Sequence, residues 1–252
     1  ACASEHPNVT INIQFPSSAD YSAEQLDLFR SALDDDSVDA VVISPMQSGQ
    51  LSAAAESADK PIIALATDFT SDTKLSFVGT GNEAAAKSGG LAAMKKAKAN
   101  GADKPQAVIL TGAQGDETHE ARLRGYRNAV EQAGGTVLEV QYCDAQPDRA
   151  AAAMEAVMQN YPQGVDALLV TSDDMALAAI KCIWDNNIAA YRKTVICGFD
   201  GNHAAVEALD RGELTVDIAQ QGYEMGYKAV EAALDALEGK SVESVIDSGS
   251  EV

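Results

Sequence analysis

Positive charge is scarce in this 252-residue sequence, because 18 Lys and Arg residues face 38 Asp and Glu residues, for a formal net charge of -20. A chain this acidic repels long duplex nucleic acid, and it lacks the basic patch that holds proteins on anionic membrane surfaces. We therefore expect no nucleic-acid partner.

Long apolar runs are also missing. No stretch of about 18 apolar residues exists to span a bilayer. Residues 1–7 carry neither a basic region nor an apolar core, so they do not read as a signal peptide, which leaves the cellular location open.

The usual signatures of metal sites and catalysis are absent as well. The cysteines form no CxxC pair and show no metal-ligand spacing with the histidines, so we expect buried or unpaired thiols. No G-x-S-x-G elbow, H-E-x-x-H pair or P-loop is present. These observations argue against an enzyme and predict no cofactor and no metal. The cysteines and histidines of the sequence are Cys2, Cys143, Cys182, Cys197, His6, His119 and His203.

What the sequence does contain is an alternation of short apolar runs and Ala-rich segments of helix length, with 46% apolar residues overall. Ser22 with Gln25 suggests a capping box that starts the first helix. Alternation of this kind is typical of α/β folds with parallel sheets. The predicted strands are 9–15, 40–43, 62–65, 75–78, 107–110, 137–142, 167–170, 194–197 and 214–218, and the later helices are 82–98, 118–133, 147–161, 173–185 and 223–237.

Five short motifs follow in a fixed order along the chain. They are Asp39-Ala-Val-Val-Ile-Ser-Pro45, Arg122-Leu-Arg-Gly-Tyr126, Ser172-Asp-Asp-Met-Ala-Leu177, Gly198-Phe-Asp-Gly201 and Asp217-Ile-Ala-Gln220. Together they resemble the ribose-binding-protein branch of the type I periplasmic binding proteins, whose fold is shared with the ligand domains of lac-repressor-type regulators.

This resemblance implies an α/β fold of two doubly wound parallel-sheet lobes joined by a three-segment hinge, here lacking the first strand and the extreme C-terminus. One lobe would comprise residues 1–80 with 221–246, and the other residues 81–220 with 247–252. The implied function is non-enzymatic, extracytoplasmic capture of a small polar ligand, such as a sugar or polyol, in the cleft between the lobes. The implied partner is the membrane permease of an ABC importer, and the protein is expected to be a monomer, periplasmic or anchored outside the cell as a lipoprotein.

The resemblance also assigns ligand-binding roles. Arg122 matches a cleft arginine whose guanidinium can donate two hydrogen bonds, with a solvated arginine paired to Glu120 or Asp116 as the alternative. Asp200 matches an acceptor of sugar hydroxyls, or is a turn residue before Gly201. The amide of Gln220 can donate and accept, unless it serves only as a hinge contact.

Further candidates are less well matched to the family. Ser172 stands where sugar-binding relatives commonly carry Asn, and the following Asp173 and Asp174 are expected to cap the next helix. Asp68 is a second acceptor or a turn residue, and Phe69 offers a stacking face or is a mobile loop aromatic. Ala66 and Ala145 replace positions that discriminate between ligands in relatives, so the identity of the sugar stays open.

Three other interpretations remain. Gly79-Thr-Gly81-Asn-Glu-Ala84 superficially fits a dinucleotide-binding fingerprint, although a hinge with a glycine-rich helix start fits better. The same fold could be the ligand-sensing domain of a transcription regulator or of a membrane sensor, or an α/β enzyme using the same cleft.

We also expect that Arg122→Ala would abolish binding with little effect on stability, since a cleft arginine is solvated.

Overall fold

The computed structural model describes residues 5–17, 21–45, 48–56 and 58–252. The chain divides into two compact units, which we treat separately. Unit 1 comprises Ala1–Thr80 with Gln221–Gly249, and unit 2 comprises Gly81–Gln220 with Ser250–Val252. Both are α/β units built on parallel sheets, as the sequence predicts.

Unit 1 contains a four-stranded parallel sheet in the order β1-β2-β3-β9. Neighbouring residues of a strand point to opposite faces, so Ile62 and Ile63 enter different cores. The first core is shared with α1 and α2, and the second with α8. The elements are α1 (Tyr21–Asp34), β1 (Val41–Ile43), α2 (Ser48–Ala55), β2 (Ile62–Leu65), β3 (Lys74–Gly79), α8 (Gly222–Leu237) and β9 (Val245–Asp247).

Unit 2 contains a second four-stranded parallel sheet, in the order β5-β4-β6-β7, and an antiparallel pair, β8 with β10. Helices α3 and α4 cover one face of the larger sheet, and α5, α6 and α7 cover the other. Its elements are α3 (Asn82–Ala99), β4 (Gln106–Thr111), α4 (Glu117–Gln132), β5 (Thr136–Tyr142), α5 (Pro147–Asn160), β6 (Ala167–Val170), α6 (Asp173–Asn186), β7 (Val195–Cys197), α7 (His203–Asp210), β8 (Ala219–Gln220) and β10 (Ser250–Glu251), with a 3-10 turn at Ala189–Lys193.

Two predicted strands are wrong. Residues 9–15 form no strand, and their apolar side chains Ile11, Ile13 and Phe15 are 44%, 70% and 79% exposed. Alternation alone makes no strand, because a strand needs a neighbour to pair with its backbone. Residues 214–218 likewise contain only an isolated bridge at Val216, and β8 begins at Ala219.

The predicted capping box is also wrong. Helix α1 already begins at Tyr21, so Ser22 lies inside its first turn. The side-chain amide of Gln25 donates to the carbonyl oxygen of Ser44 at 2.9 Å. Gln25 therefore ties α1 to the segment after β1.

Three cysteines lie buried in unit 2 as free thiols: Cys143, Cys182 and Cys197. Burial raises the pKa of Cys143 to about 11 and that of Cys197 to about 12, and it also raises the pKa of Cys182. Because the thiolate is the reactive form, all three should react slowly with alkylating agents in the native protein. Cys2 lies outside the described residues.

We expect all three thiols to become alkylated after unfolding in denaturant without reductant. Intact-mass analysis of a Cys2→Ser variant, before and after unfolding, measures this directly. Thiols that react only once a reductant is added would reveal a disulfide and contradict the prediction.

Among the described residues, no helix is both long and apolar enough to cross a membrane.

Candidate functional site

The guanidinium of Arg122 lies at the carboxyl edge of the sheet of unit 2, and the residue as a whole is only 5% exposed. Its Nε donates to Asn82 Oδ1 at 2.7 Å, and Nη1 donates to the carbonyl oxygen of Thr171 at 2.8 Å. The same nitrogen pairs with Asp200 Oδ1 at 3.2 Å, and the guanidinium carbon lies 3.7 Å from the centre of the Phe199 ring. The expectation of a solvated arginine is therefore wrong, as is the alternative pairing with Glu120 or Asp116.

Asp200 follows β7 in an unusual backbone conformation, with a φ of 137°. Residues other than glycine rarely adopt such angles, and they concentrate where the surrounding structure holds them for function. The side chain of Asp200 remains 33% exposed. Burial raises the pKa of Asp200 to about 6, although the neighbouring Arg122 opposes this rise.

Gln220 joins the same cluster from β8. Its side-chain nitrogen donates to Asp200 Oδ1 at 2.7 Å, and its backbone N–H donates to the carbonyl oxygen of Asp200 at 3.0 Å. One carboxylate oxygen thus accepts from both Arg122 and Gln220. The structure thus brings together three of the four residues that were expected to bind the ligand in this unit, Ser172 being the fourth.

Ser172 and the two aspartates after it occupy the start of α6. Ser172 is the N-cap residue by backbone conformation, but its hydroxyl makes no capping hydrogen bond. Asp173 does not cap the helix either, because its Oδ2 accepts from the backbone N–H of Asn202 at 2.8 Å. Asp174 accepts from the side chain of Asn202 at 3.2 Å. Both carboxylates thus fasten the loop after β7 and do not cap α6, contrary to expectation.

In unit 1, Asp68 accepts from the backbone N–H of Phe69 at 2.8 Å and forms an ion pair with Lys74. Phe69 is 1% exposed and packs in the core with Phe29 and Leu51. Its ring therefore fills the core, and the expectation of a stacking face or a mobile loop aromatic is corrected. The segment is polar in sequence, yet the ring finds an apolar cavity between α1, α2 and the sheet.

Several residues of this site are not singled out by the sequence. His119 lies one turn before Arg122, and its Nδ1 lies 2.8 Å from the hydroxyl of Thr171. Burial and then the charge of Arg122 lower the pKa of His119 to about 4, so the ring is neutral near pH 7. Its spacing of three residues from Arg122 places both on one helix face and is the signal that could have identified it.

Asn82 lies within the glycine-rich motif that resembles a dinucleotide fingerprint. Its side chain accepts from Arg122, so in this structure the motif serves the arginine cluster. Among the described residues, no group of three or more His, Cys, Asp or Glu side chains is arranged to hold a metal ion.

Sequence comparison identifies relatives among sugar-transport proteins. The chain is 29% identical over 212 residues to a ribose import binding protein of Bacillus subtilis (strain 168), covering 83% of this chain and 66% of that protein. It is 28% identical over 207 residues to the ribose import binding protein of Escherichia coli (strain K12), covering 81% and 67%. The chain thus spans about two-thirds of the length of these relatives.

Comparison with solved structures identifies proteins that share the fold of this chain. A glucose-galactose binding protein from Geobacillus stearothermophilus superposes with a TM-score of 0.83 at 24% identity, over 99% of this chain and 87% of that one. An ABC transporter solute binding protein from Mycobacterium smegmatis, solved with glycerol, gives a TM-score of 0.73 at 26% identity, over 91% and 77%. The sequence profile of the periplasmic binding protein domain matches residues 1–241, and the chain belongs to that family.

Proposed function

We propose that this protein captures a sugar or a related polyol and delivers it to the membrane permease of an ABC importer. The observation that carries the proposal is the convergence of Arg122 and Gln220 on Asp200, whose carboxylate remains one-third exposed. A hydroxyl-rich ligand needs donors and acceptors side by side, which a guanidinium, a carboxylate and an amide supply. The ribose import function of the relatives supports the same ligand class.

In this proposal the ligand leaves chemically unchanged, and the protein acts as a monomer outside the cytoplasm, in the periplasm or as a lipid-anchored protein. Ser172, at the start of α6, and Asp68, in unit 1, are proposed as additional polar contacts. Phe69 is not retained, because its ring is buried in the core.

A thermal-shift screen of pentoses, hexoses, polyols and nucleosides tests the ligand class, followed by calorimetry on each compound that raises the melting temperature. A ligand present at about 100 times its dissociation constant stabilises the folded state by about 2.7 kcal/mol. Recovery of the unaltered sugar distinguishes binding from turnover. A stabilising nucleoside with no stabilising sugar, or consumption of the sugar, would reject the proposal.

Asp200→Asn should weaken sugar binding by about 1.5–3 kcal/mol, the range for hydrogen bonds to a charged group. Asparagine keeps the shape and tolerates unusual backbone angles, so the fold should survive. Calorimetry on wild type and variant measures the difference. An unchanged dissociation constant would return Asp200 to the role of a turn residue.

The pH dependence gives an independent check on Asp200. The pKa of Asp200 is raised to about 6, so its carboxylate becomes protonated as the pH falls through that value and loses its charge-assisted hydrogen bonds. Affinity should therefore decline on the acid side of about pH 6 in the wild type. The decline should be absent from Asp200→Asn, which has no carboxylate to protonate.

A further inference from the structure

Two buried carboxyl groups lie beside the loop that carries Asp200. Asp173 is fully buried and Asp217 is 7% exposed. Asp173 Oδ1 and Asp217 Oδ2 receive no hydrogen bond from any residue that the structure describes. The two carboxyl groups lie close together, because a methyl group added to Gly198 would contact an oxygen of each. Two ionised carboxylates at such a distance repel strongly, whereas one shared proton makes one group a donor and the other an acceptor.

Asp173 holds the end of the loop from Gly198 to Asn202, and both carboxyl groups lie against its start, where Asp217 Oδ1 also accepts from the backbone N–H of Ile218 at 2.8 Å. Asp173 Oδ2 accepts from the backbone N–H of Asn202 at 2.8 Å, which fixes the end of the loop. At its start, a methyl group added to Gly198 would lie 2.5 Å from Asp173 Oδ1 and 3.1 Å from Asp217 Oδ1. The two carboxyl groups are therefore packed directly against the backbone that leads to Asp200 and holds its φ at 137°.

The other titratable groups around Asp173 and Asp217 do not supply a positive charge that would offset two ionised carboxylates. The hydroxyl of Tyr126 lies 3.1 Å from the carbonyl oxygen of Val170 and 3.2 Å from that of Gly198. Burial raises the pKa of Tyr126 and that of Cys197, so both side chains stay neutral near pH 7. The negative charge of Asp200 adds to the effect of burial in raising the pKa of Asp217. The nearby positive charge of Arg122 is already paired with Asp200.

We propose that Asp173 and Asp217 share one proton and act as a positioning pair for Asp200, so that sugar affinity depends on that proton. The inference rests on the proposed function only for its effect on ligand. The pair itself exists in the ligand-free protein and can be tested there.

The direction of the pH effect follows from the raised pKa values. Burial raises the pKa of Asp173 to about 7 from the model-peptide value of 3.8, and it raises the pKa of Asp217 as well. At pH values between about 4 and about 7, the folded protein therefore holds a proton that the unfolded chain has released. Folding stability therefore falls as the pH rises from about 4 to about 7, and the loss is complete above that window.

Asp217→Asn provides the sharpest test, because an amide can donate to ionised Asp173 without any shared proton. In wild type we expect sugar affinity to fall on the order of tenfold between about pH 6.5 and about pH 8.5, the change that one unit of pKa represents. Asp217→Asn should lose this alkaline decline and keep the acid decline due to Asp200. Asp210→Asn, which makes the same charge change at an exposed position of α7, should behave as wild type.

Melting of the ligand-free protein distinguishes this proposal from the proposed function. Wild type and Asp210→Asn should melt at a lower temperature at about pH 8 than at about pH 6, and Asp217→Asn should melt nearly equally at both. If Asp217→Asn fails to fold, Asp173→Asn is substituted in the same comparison. Infrared spectroscopy of the wild type should show a protonated carboxyl band near pH 6.5 that disappears by about pH 8.5.

Absence of the protonated carboxyl band in wild type, or the same alkaline decline in melting temperature in Asp217→Asn as in wild type, would overturn the shared proton. If the melting temperature of wild type falls with rising pH as expected but its sugar affinity does not change between about pH 6.5 and about pH 8.5, the pair does not position Asp200. If no sugar binds at all, the proposed function fails while the melting and infrared results still decide whether the pair exists.

Discussion

Arg122→Ala should lower the free energy of unfolding by about 3 kcal/mol and also abolish detectable sugar binding. Removing one partner of a buried ion pair costs about 3–5 kcal/mol, and the lower end applies because Asp200 keeps a third of its side chain in water. The change also leaves the oxygens of Asn82 and Thr171 without their donor. Chemical denaturation measures the stability, and calorimetry below the melting temperature measures the binding.

Arg124→Ala is the matched control, since this arginine lies on the same helix but is 57% exposed in its ion pair with Glu83. Exposed ion pairs contribute about 0–1 kcal/mol, so its loss should be small and should leave binding intact. Equal stability losses in the two variants would contradict the structural role of Arg122. Retained affinity in Arg122→Ala would contradict its role in binding.

Gly125→Ala should destabilise unit 2 by about 3 kcal/mol, the upper end of the range for overpacking. The added methyl group would lie 2.3 Å from the carbonyl oxygen of Glu83 and 2.9 Å from the backbone nitrogen of Lys87. Both atoms belong to the backbone of α3, so helices α3 and α4 would have to separate. Separation would also pull Arg122 on α4 away from Asn82 on α3, and sugar affinity should fall with stability.

The opposite result is expected for Gly226→Ala. Among the residues that the structure describes, none outside the neighbouring turns of α8 lies within 4 Å of the added methyl group at this position. Alanine favours a helix interior over glycine by about 1 kcal/mol, so the variant should be more stable than wild type. Denaturant titration of both variants measures the contrast, and a Gly125→Ala protein as stable as wild type would show that α3 and α4 are not held at this contact.

The parallel sheets could be predicted because their strands are continuous apolar runs between helix-length segments. Ile62–Leu65 and Ala167–Val170 match the prediction residue for residue. Residues 9–15 have the right alternation, but no sequence pattern states whether a neighbouring strand is there to pair with them. Strand pairing depends on the whole sheet, so the periodicity of a single segment does not predict it.

The candidate site likewise has features that the sequence could predict and features that it could not. Arg122, Asp200 and Gln220 could be predicted because they lie in motifs that resemble a known family. The burial of Arg122 against Phe199 and the close approach of Asp173 to Asp217 could not be predicted, because each depends on residues from separate segments meeting at one edge of the sheet. Phe69 shows the converse, since a polar segment carries a core side chain.

The single tryptophan of the sequence is Trp184, and its side chain is 55% exposed near the end of α6. Ser172 lies at the other end of the same helix, about 18 Å away at 1.5 Å per residue. Tryptophan fluorescence therefore has no source beside the Arg122 cluster. A spectral change on adding sugar would report a rearrangement along α6, and a silent emission spectrum would be compatible with full occupancy.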